Sequence, residues 1–242
     1  MQEATRKRLL DINYQFYQSF GTEFSATRAR IQPGVGIIIK RLEGHEQLLD
    51  LGCGNGALAR QLASLGHKGS YTGLDFSLPL LAAAYQQPDT FPVNFLQEDL
   101  TSTDWEADLP TNNYHMVLSF AALHHIPSEQ LRLQIILKIA ALLKKEGKFI
   151  HSHWQFLNSP RLRDRIQPWQ EVGLRSQDVE PGDYLLDWKR GGHGLRYVHH
   201  FNEEELSRLA ETAGFNVCES FLSDGQGGRL GLYQIWERQN TV

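Results

Sequence analysis

The residues with the greatest chemical reach sit early in the chain. The run LLDLGCGNGALA (48–59) sets Gly52, Gly54 and Gly56 between a β-like segment and a helical one. Glycine permits positive φ and lets a ligand lie against the backbone. Three acids follow the same rhythm: Asp50 just before the turn, Asp75 in GLDFS, and Asp99 in QEDL. Asp75 stands 23 residues after Gly52, where a carboxylate can accept both hydroxyls of an adenosine ribose. Asp99 offers an acceptor for an adenine amino group. Asp50 lies inside a strand, where an acid is costly unless donors or a cation adjoin it. The ligand expected there is therefore cationic, and not a pyrophosphate. Gly52, Gly54 and Ala57 also satisfy the loose dinucleotide fingerprint, so a nicotinamide-dependent oxidoreductase is the competing enzyme class; Asp50 and Asp99 argue against it.

These residues need a parallel sheet to hold them. QLLDLG (47–52), SYTGLDF (70–76), VNFLQEDL (93–100), YHMVLSFAAL (114–123) and KFIHSHW (148–154) read as strands. Between them lie helical stretches at 57–66, 78–86 and 128–147, with Pro79 suited to a first turn, Ser128 as a cap and Gly147 as a stop. Strand and helix in alternation predict a doubly wound α/β fold with ligands at the carboxyl ends of the strands. Residues 202–214 read as a last helix capped by Asn202, and 215–224 with 230–238 as an antiparallel hairpin. One domain is expected, with an N-terminal helical cap (1–45), a ligand-binding core (46–154), an irregular acceptor lid (155–200) and the last helix and hairpin (201–242).

The combination resembles the class I S-adenosylmethionine methyltransferases, on LDLGCGNG, GLDFS, QEDL and VLSFAALHHI. The resemblance implies a Rossmann-like, seven-stranded, mostly parallel sheet with a late antiparallel hairpin, and S-adenosyl-L-methionine as cofactor. Its binding residues would be Asp50, Gly52, Cys53, Gly54, Asn55, Gly56, Asp75, Phe76, Ser77, Asp99, Leu100, Ser119 and Phe120. His115 stands where the family often has aspartate and receives no role.

Two further stretches are similar to the family that methylates the carboxymethyl group of the tRNA wobble uridine, forming a methyl ester. They are YQSFGTEFSATR (17–28), through Tyr17, Phe24, Ser25, Thr27 and Arg28, and RYVHHF (196–201), with Trp188 upstream. By that resemblance Arg196 would clamp an acceptor carboxylate, His124 would bond the acceptor, and His199 would do likewise or hold Arg196. Arg28 would pair with the donor's own carboxylate and Tyr17 would cover the donor. The acceptor is then tRNA; a small-molecule acceptor of an O- or N-methyltransferase is the alternative. The fungal and animal enzymes of that family work with a small partner protein. A non-catalytic donor-binding subunit would show a decayed glycine loop or no acceptor residues, and here both are intact.

Composition narrows the rest. The 242 residues are 41% hydrophobic and 21% charged, ordinary for a soluble globular domain. No apolar run nears the ~18 residues of a membrane span. Net charge is −4 and the 155–200 segment carries seven Lys/Arg against six Asp/Glu, far from the basic footprint of a bulk nucleic-acid binder. Cys53 and Cys218 cannot form a disulfide framework, so a reducing cytoplasm is expected. Cys53 falls within the glycine loop and Cys218 in a late strand, so neither suits the nucleophile of a C5 methylation. The pairs His124–His125 and His199–His200 point to opposite faces on a strand, and His151 with His153 lacks a third ligand, so no metal site is expected.

Overall fold

A computed structural model describes residues 1–27, 30–86 and 90–239. Its main sheet has seven strands: β1 (Gln47–Leu51), β2 (Ser70–Asp75), β3 (Val93–Gln97), β4 (Tyr114–Phe120), β5 (Leu143–Trp154), β9 (Phe215–Ser223) and β10 (Gly231–Arg238). They are ordered β3-β2-β1-β4-β5-β10-β9. The first five pair in parallel, and β10 pairs antiparallel with both β5 and β9. This is the doubly wound, Rossmann-like arrangement the alternation predicts. The strand order reverses between β1 and β4, which makes the carboxyl ends of these two strands the switch point.

Alternation along each strand divides the core into two layers. Leu49, Leu51 and Phe149 face α5 (Glu129–Leu142) and α7 (Glu203–Thr212), packing with Ile135, Ile139, Leu206 and Trp236. Leu48 and Ile150 face the other way, onto α2 (Pro33–Ile39), α3 (Ala57–Ser64) and α4 (Leu78–Ala84), with Val35, Leu62 and Leu81. Burial on both faces is the reason the strands read as near-continuous apolar runs.

The helix expected over 128–147 is shorter. It ends at Leu142, and Gly147 lies inside β5, which begins at Leu143. Leu143 is fully buried and pairs with Tyr114, so tertiary pairing overrides the helical preference of LKKEG. Ser128 makes no side-chain cap. Its φ is +75°, and the Glu129 N–H is instead bonded by Glu180 Oε2 at 2.9 Å, a carboxylate from the insertion. Asn202 does cap α7, accepting from the Glu205 N–H at 2.8 Å, and Pro79 sits in the first turn of α4.

The insertion is more regular than its prolines imply. It holds a short helix, α6 (Pro160–Arg163), and a three-stranded antiparallel sheet of β6 (Ile166–Gln167), β7 (Asp183–Trp188) and β8 (Gly194–His199). The long N-terminal helix α1 (Glu3–Ala26) lies against β8, burying Leu9, Ile12, Asn13, Phe16 and Tyr17 at helical spacing. Asn13 fixes the contact. Its Nδ2 donates to Tyr197 O (3.1 Å) and its Oδ1 accepts from Tyr197 N (2.9 Å). No described helix is long and apolar enough to cross a membrane.

Candidate active site

Two adjoining cavities open at the switch point. The larger, about 380 Å³, is lined by Tyr17, Asp50, Gly52, Cys53, Gly54, Asn55, Asp75, Phe76, Asp99, Leu100 and Phe120, eleven of the residues expected to bind the donor. Gly56, Ser77 and Ser119 do not line it. Gly56 is the left-handed residue before α3, and Ser119 is buried in β4. Ser77 supports the site from behind, its backbone N–H bonding Asp75 Oδ1 at 2.9 Å. Arg28 lies outside the described residues.

Asp75 is held by two backbone donors, Gly54 N and Ser77 N, one on each oxygen and both at 2.9 Å. A carboxylate has about four lone-pair sites, so each oxygen keeps capacity for a ribose hydroxyl. Asp50 is bonded at one oxygen by the Tyr71 hydroxyl. Burial raises both acids, Asp75 to about 6 and Asp50, which also feels Asp75, to about 7. Two buried carboxyls facing one cavity favour a cationic ligand with hydroxyls. Asp99 Oδ1 is occupied by the Thr101 N–H (2.9 Å) and hydroxyl (2.8 Å), which orients the side chain at the third strand's end. The cavity's size and donor set fit S-adenosylmethionine, with Asp75 for its ribose, Asp99 and Leu100 for its base, and Asp50 beside its cationic amino-acid part.

The loop backbone is tightly constrained. Gly52 has φ +77°, and a Cβ there would lie 2.5 Å from Ala122 Cβ. Left-handed backbone costs a non-glycine residue about 1–2 kcal/mol, and the clash adds to it. Gly52→Ala is expected to weaken S-adenosylhomocysteine binding at least about tenfold, read by calorimetry; unchanged affinity would show that the turn adapts.

The smaller cavity, about 200 Å³, is lined by His124, His153, Trp154, Arg196 and Tyr233 among others, and shares Gln32, Phe120, Ala121 and His125 with the larger. Ala121 has φ +57° at this junction, and its N–H is held by Ser152 O and Oγ. Arg196, 4% exposed, is surrounded by aromatic rings. Its guanidinium carbon lies 4.9 Å from the Phe16 centroid, 5.2 Å from Trp188, 5.5 Å from Trp154 and 5.7 Å from Phe24. The rings hold a permanent cation in place and exclude water from it. His124 Nδ1 accepts from the Trp154 N–H at 3.3 Å, so Nε2–H is the ring's donor.

The structure brings Arg196 and His124 together but not His199. That ring lies outside both cavities, with Nδ1 2.7 Å from Asp183 Oδ1 and Nε2 3.0 Å from both Glu205 oxygens. Arg132, itself buried, joins Glu205 and Glu180 to the same network. Burial opposes a charge on His199, but the two carboxylates outweigh it and hold its pKa above the ordinary value. The protonated form is therefore stabilised in the fold, a contribution full below pH ~6.5 and lost as pH rises through the folded pKa. His199→Ala is expected to cost about 1–3 kcal/mol, more at pH 6 than at pH 9, in urea unfolding; an equal loss at both pH values would contradict a charged His199.

Several site residues carried no sequence assignment. His125 Nδ1 lies 3.0 Å from Tyr197 O, so it is the donor nitrogen and Nε2 accepts from the Tyr17 hydroxyl at 2.9 Å. This joins α1, the segment after β4, and β8 across the wall between the cavities. The adjacent His124–His125 pair was the available signal, and only a three-dimensional view separates their tasks. Ala121 and Tyr233 gave none, whereas the H-x-H spacing of His151 and His153 already marked His153 as a residue that lines the acceptor pocket or is satisfied by a local hydrogen bond, and it does both. His153 bonds His151, Nε2 to Nδ1 at 2.8 Å. Burial lowers His151 to about 3 and His153 well below its usual range, so both are neutral. Burial and the nearby Asp75 and Asp50 push the Cys53 thiol well above its ordinary value, which disfavours a thiolate nucleophile.

Comparison with known proteins agrees with this geometry. Residues 48–147 match the family model described as a methyltransferase domain. The tRNA (carboxymethyluridine(34)-5-O)-methyltransferase of Schizosaccharomyces pombe is 29% identical over 221 residues, 85% of this chain and 89% of that protein. Among solved structures, an S-adenosylmethionine-dependent methyltransferase of Methanosarcina mazei superposes with a TM-score of 0.67 at 22% identity, covering 87% of this chain and 99% of the other. The 1,6-didemethyltoxoflavin-N1-methyltransferase of Burkholderia thailandensis, solved with its substrate and S-adenosylhomocysteine, gives 0.65 at 17% identity, covering 99% and 91%.

Proposed function

We propose that this chain, an S-adenosylmethionine-dependent methyltransferase, esterifies a carboxylate held in the smaller cavity, and that its acceptor is the carboxymethyl group of a tRNA wobble uridine. The observation that carries the reading is Arg196, a buried guanidinium in an aromatic cage, beside the donor cavity. A guanidinium grips a carboxylate through two parallel hydrogen bonds. The resemblance to the fission-yeast enzyme over most of both chains supplies the nucleic-acid part of the reading.

S-adenosylmethionine supplies an electrophilic methyl group on a sulfonium centre. The chain's own work is placement. An acceptor carboxylate is ionised at neutral pH, so ester formation moves no proton and needs no general base. That suits a cavity where His153 is neutral, Arg196 is the cation, and the one carboxylate in the lining, Asp224, is already engaged by the Gly34 N–H and the Tyr233 hydroxyl. Arg196 sets the carboxylate, the His124 Nε2–H bonds the acceptor, and Tyr17 with His125 closes the wall toward the donor. Reaction requires the oxygen ~3–3.5 Å from the methyl carbon and in line with the bond that breaks. Such an enzyme belongs in a reducing cytoplasm, where the free thiols of Cys53 and Cys218 persist.

The test uses isotopically labelled S-adenosylmethionine and RNA carrying 5-carboxymethyluridine. Label in RNA that mild base releases as methanol is the expected result. Label only in a small-molecule fraction would keep the donor reading and replace the acceptor; base-stable label would exclude the ester.

A further inference from the structure

The near-neutral charge count of the insertion conceals a cationic surface. Of its six acids, Asp178 pairs with Arg175, Asp187 with Lys189, Glu180 with Arg132, and Asp183 with His199. The first two pairs cancel two of the insertion's own seven cations, and Glu180 and Asp183 are taken by Arg132 and His199, which lie outside that count, so the remaining five cations face two remaining acids, Asp164 and Glu171. Arg161 and Arg163 of α6 are exposed and make no ion pair among the described residues, and the same holds for Arg229 in the β9–β10 turn.

The segments that carry these three arginines meet beside the smaller cavity. Leu162, between Arg161 and Arg163, is buried in an apolar cluster with Phe156, against which Trp154 and Leu230 pack. Trp154 and Leu230 line the smaller cavity, and Leu230 follows Arg229 directly. Asn158, just before α6, donates to Arg229 O at 2.8 Å, tying the two segments together. The acids near this junction are Asp164, beside α6, and Asp224. Asp224 is already engaged by the Gly34 N–H and the Tyr233 hydroxyl.

We propose that Arg161, Arg163 and Arg229 form the track for an RNA backbone, gripping phosphates that flank the nucleotide whose base enters the smaller cavity. The proposal rests on the carboxylate-acceptor reading for what enters the cavity, but the track itself is argued from charge. Its logic is that phosphate contacts position and the cavity specifies. A cavity of about 200 Å³ accepts one nucleotide's base, not a helix, so the flanking phosphates must pass over its rim. RNA is favoured over an acidic protein because these charges stand on segments beside a cavity whose wall carries aromatic rings, Trp154, Phe120 and Tyr233, suited to a flat base.

The experiment compares wild type with R161E/R163E/R229E on two acceptors: an anticodon stem-loop carrying 5-carboxymethyluridine, and the free nucleoside. Stem-loop binding is read by fluorescence anisotropy across a salt series. The variant is expected to raise the stem-loop Kd and KM at least about tenfold and to flatten the log Kd against log salt slope by about 2 or more. Its nucleoside turnover and S-adenosylhomocysteine affinity should match wild type, which also certifies folding; the milder R161Q/R229Q serves if the triple variant is unstable. Unchanged stem-loop binding in a folded variant would overturn the track, as would a wild type that binds no RNA. Polyglutamate displacing the stem-loop at equal charge concentration would overturn the RNA assignment in favour of an acidic protein. A wild type that binds RNA through the rim yet esterifies neither acceptor would leave the track standing and remove the carboxylate reading.

Discussion

Arg196→Ala is expected to lower kcat/KM for a carboxylate acceptor by roughly 10²- to 10⁴-fold while leaving S-adenosylhomocysteine affinity within about twofold of wild type. Removing one partner of a buried ion pair costs about 3–5 kcal/mol, and each 1.36 kcal/mol is tenfold in rate. The loss should appear at the acceptor step because Arg196 lines the smaller cavity and not the larger. Arg196→Lys keeps the charge but loses the two-pronged geometry, so partial recovery is expected. Arg196 also packs against Phe16, Phe24, Trp154 and Trp188, so truncation loosens the contact between α1 and the insertion. Arg196→Met separates the two effects. It restores much of the packing and none of the charge, and should be as inactive as alanine yet more stable. Activity near wild type in Arg196→Met would remove the clamp from the mechanism.

The donor half of the site is legible in the sequence because it is local. Gly52, Gly54, Asp75 and Asp99 stand at strand ends, and a parallel sheet brings strand ends together whatever the loops do. The acceptor half is assembled from five distant segments: α1, the turn after β4, the end of β5, β8, and the β9–β10 turn with the start of β10. Arg196 could be named from its resemblance, but its cage could not, since Phe16 and Trp188 meet only through the packing of α1 on β8. His199 shows the opposite failure. It shares a strand with Arg196, but its side chain is taken by Asp183 and Glu205, the latter reached only when α7 folds back. The insertion misled through composition, because prolines between elements obscured the alternation in DYLLDW and GLRYVH. Charge misled in the same way: counting acids along the chain ignores which of them are neutralised inside it.

Donor binding should weaken on acidification while the ligand-free fold gains stability from the same two groups. Asp50 and Asp75 carry pKa values raised by burial to about 7 and about 6, against an ordinary aspartate value of about 3.9. Between pH ~4 and ~7 the native state therefore binds more protons than the unfolded chain, and these groups favour folding more as pH falls. The donor needs them ionised, since its amino group is cationic and its ribose hydroxyls must be accepted. S-adenosylhomocysteine affinity is thus expected to be flat above pH ~8. It should fall by up to about tenfold per unit through the first titration, and more steeply below pH ~6 as Asp75 also protonates. Binding at pH 7 should release protons, visible as a dependence of the calorimetric enthalpy on the buffer's ionisation heat. Asp50→Asn should remove most of the release near pH 7 and leave a single-proton limb, at most about tenfold per unit, below pH ~6, whereas Asp75→Asn should cost affinity at every pH, because an amide offers a diol only one acceptor atom. A pH-independent affinity from 5 to 8 would mean that neither carboxylate meets the donor as an anion, and that the raised values belong to a pair held protonated by the fold for structural reasons.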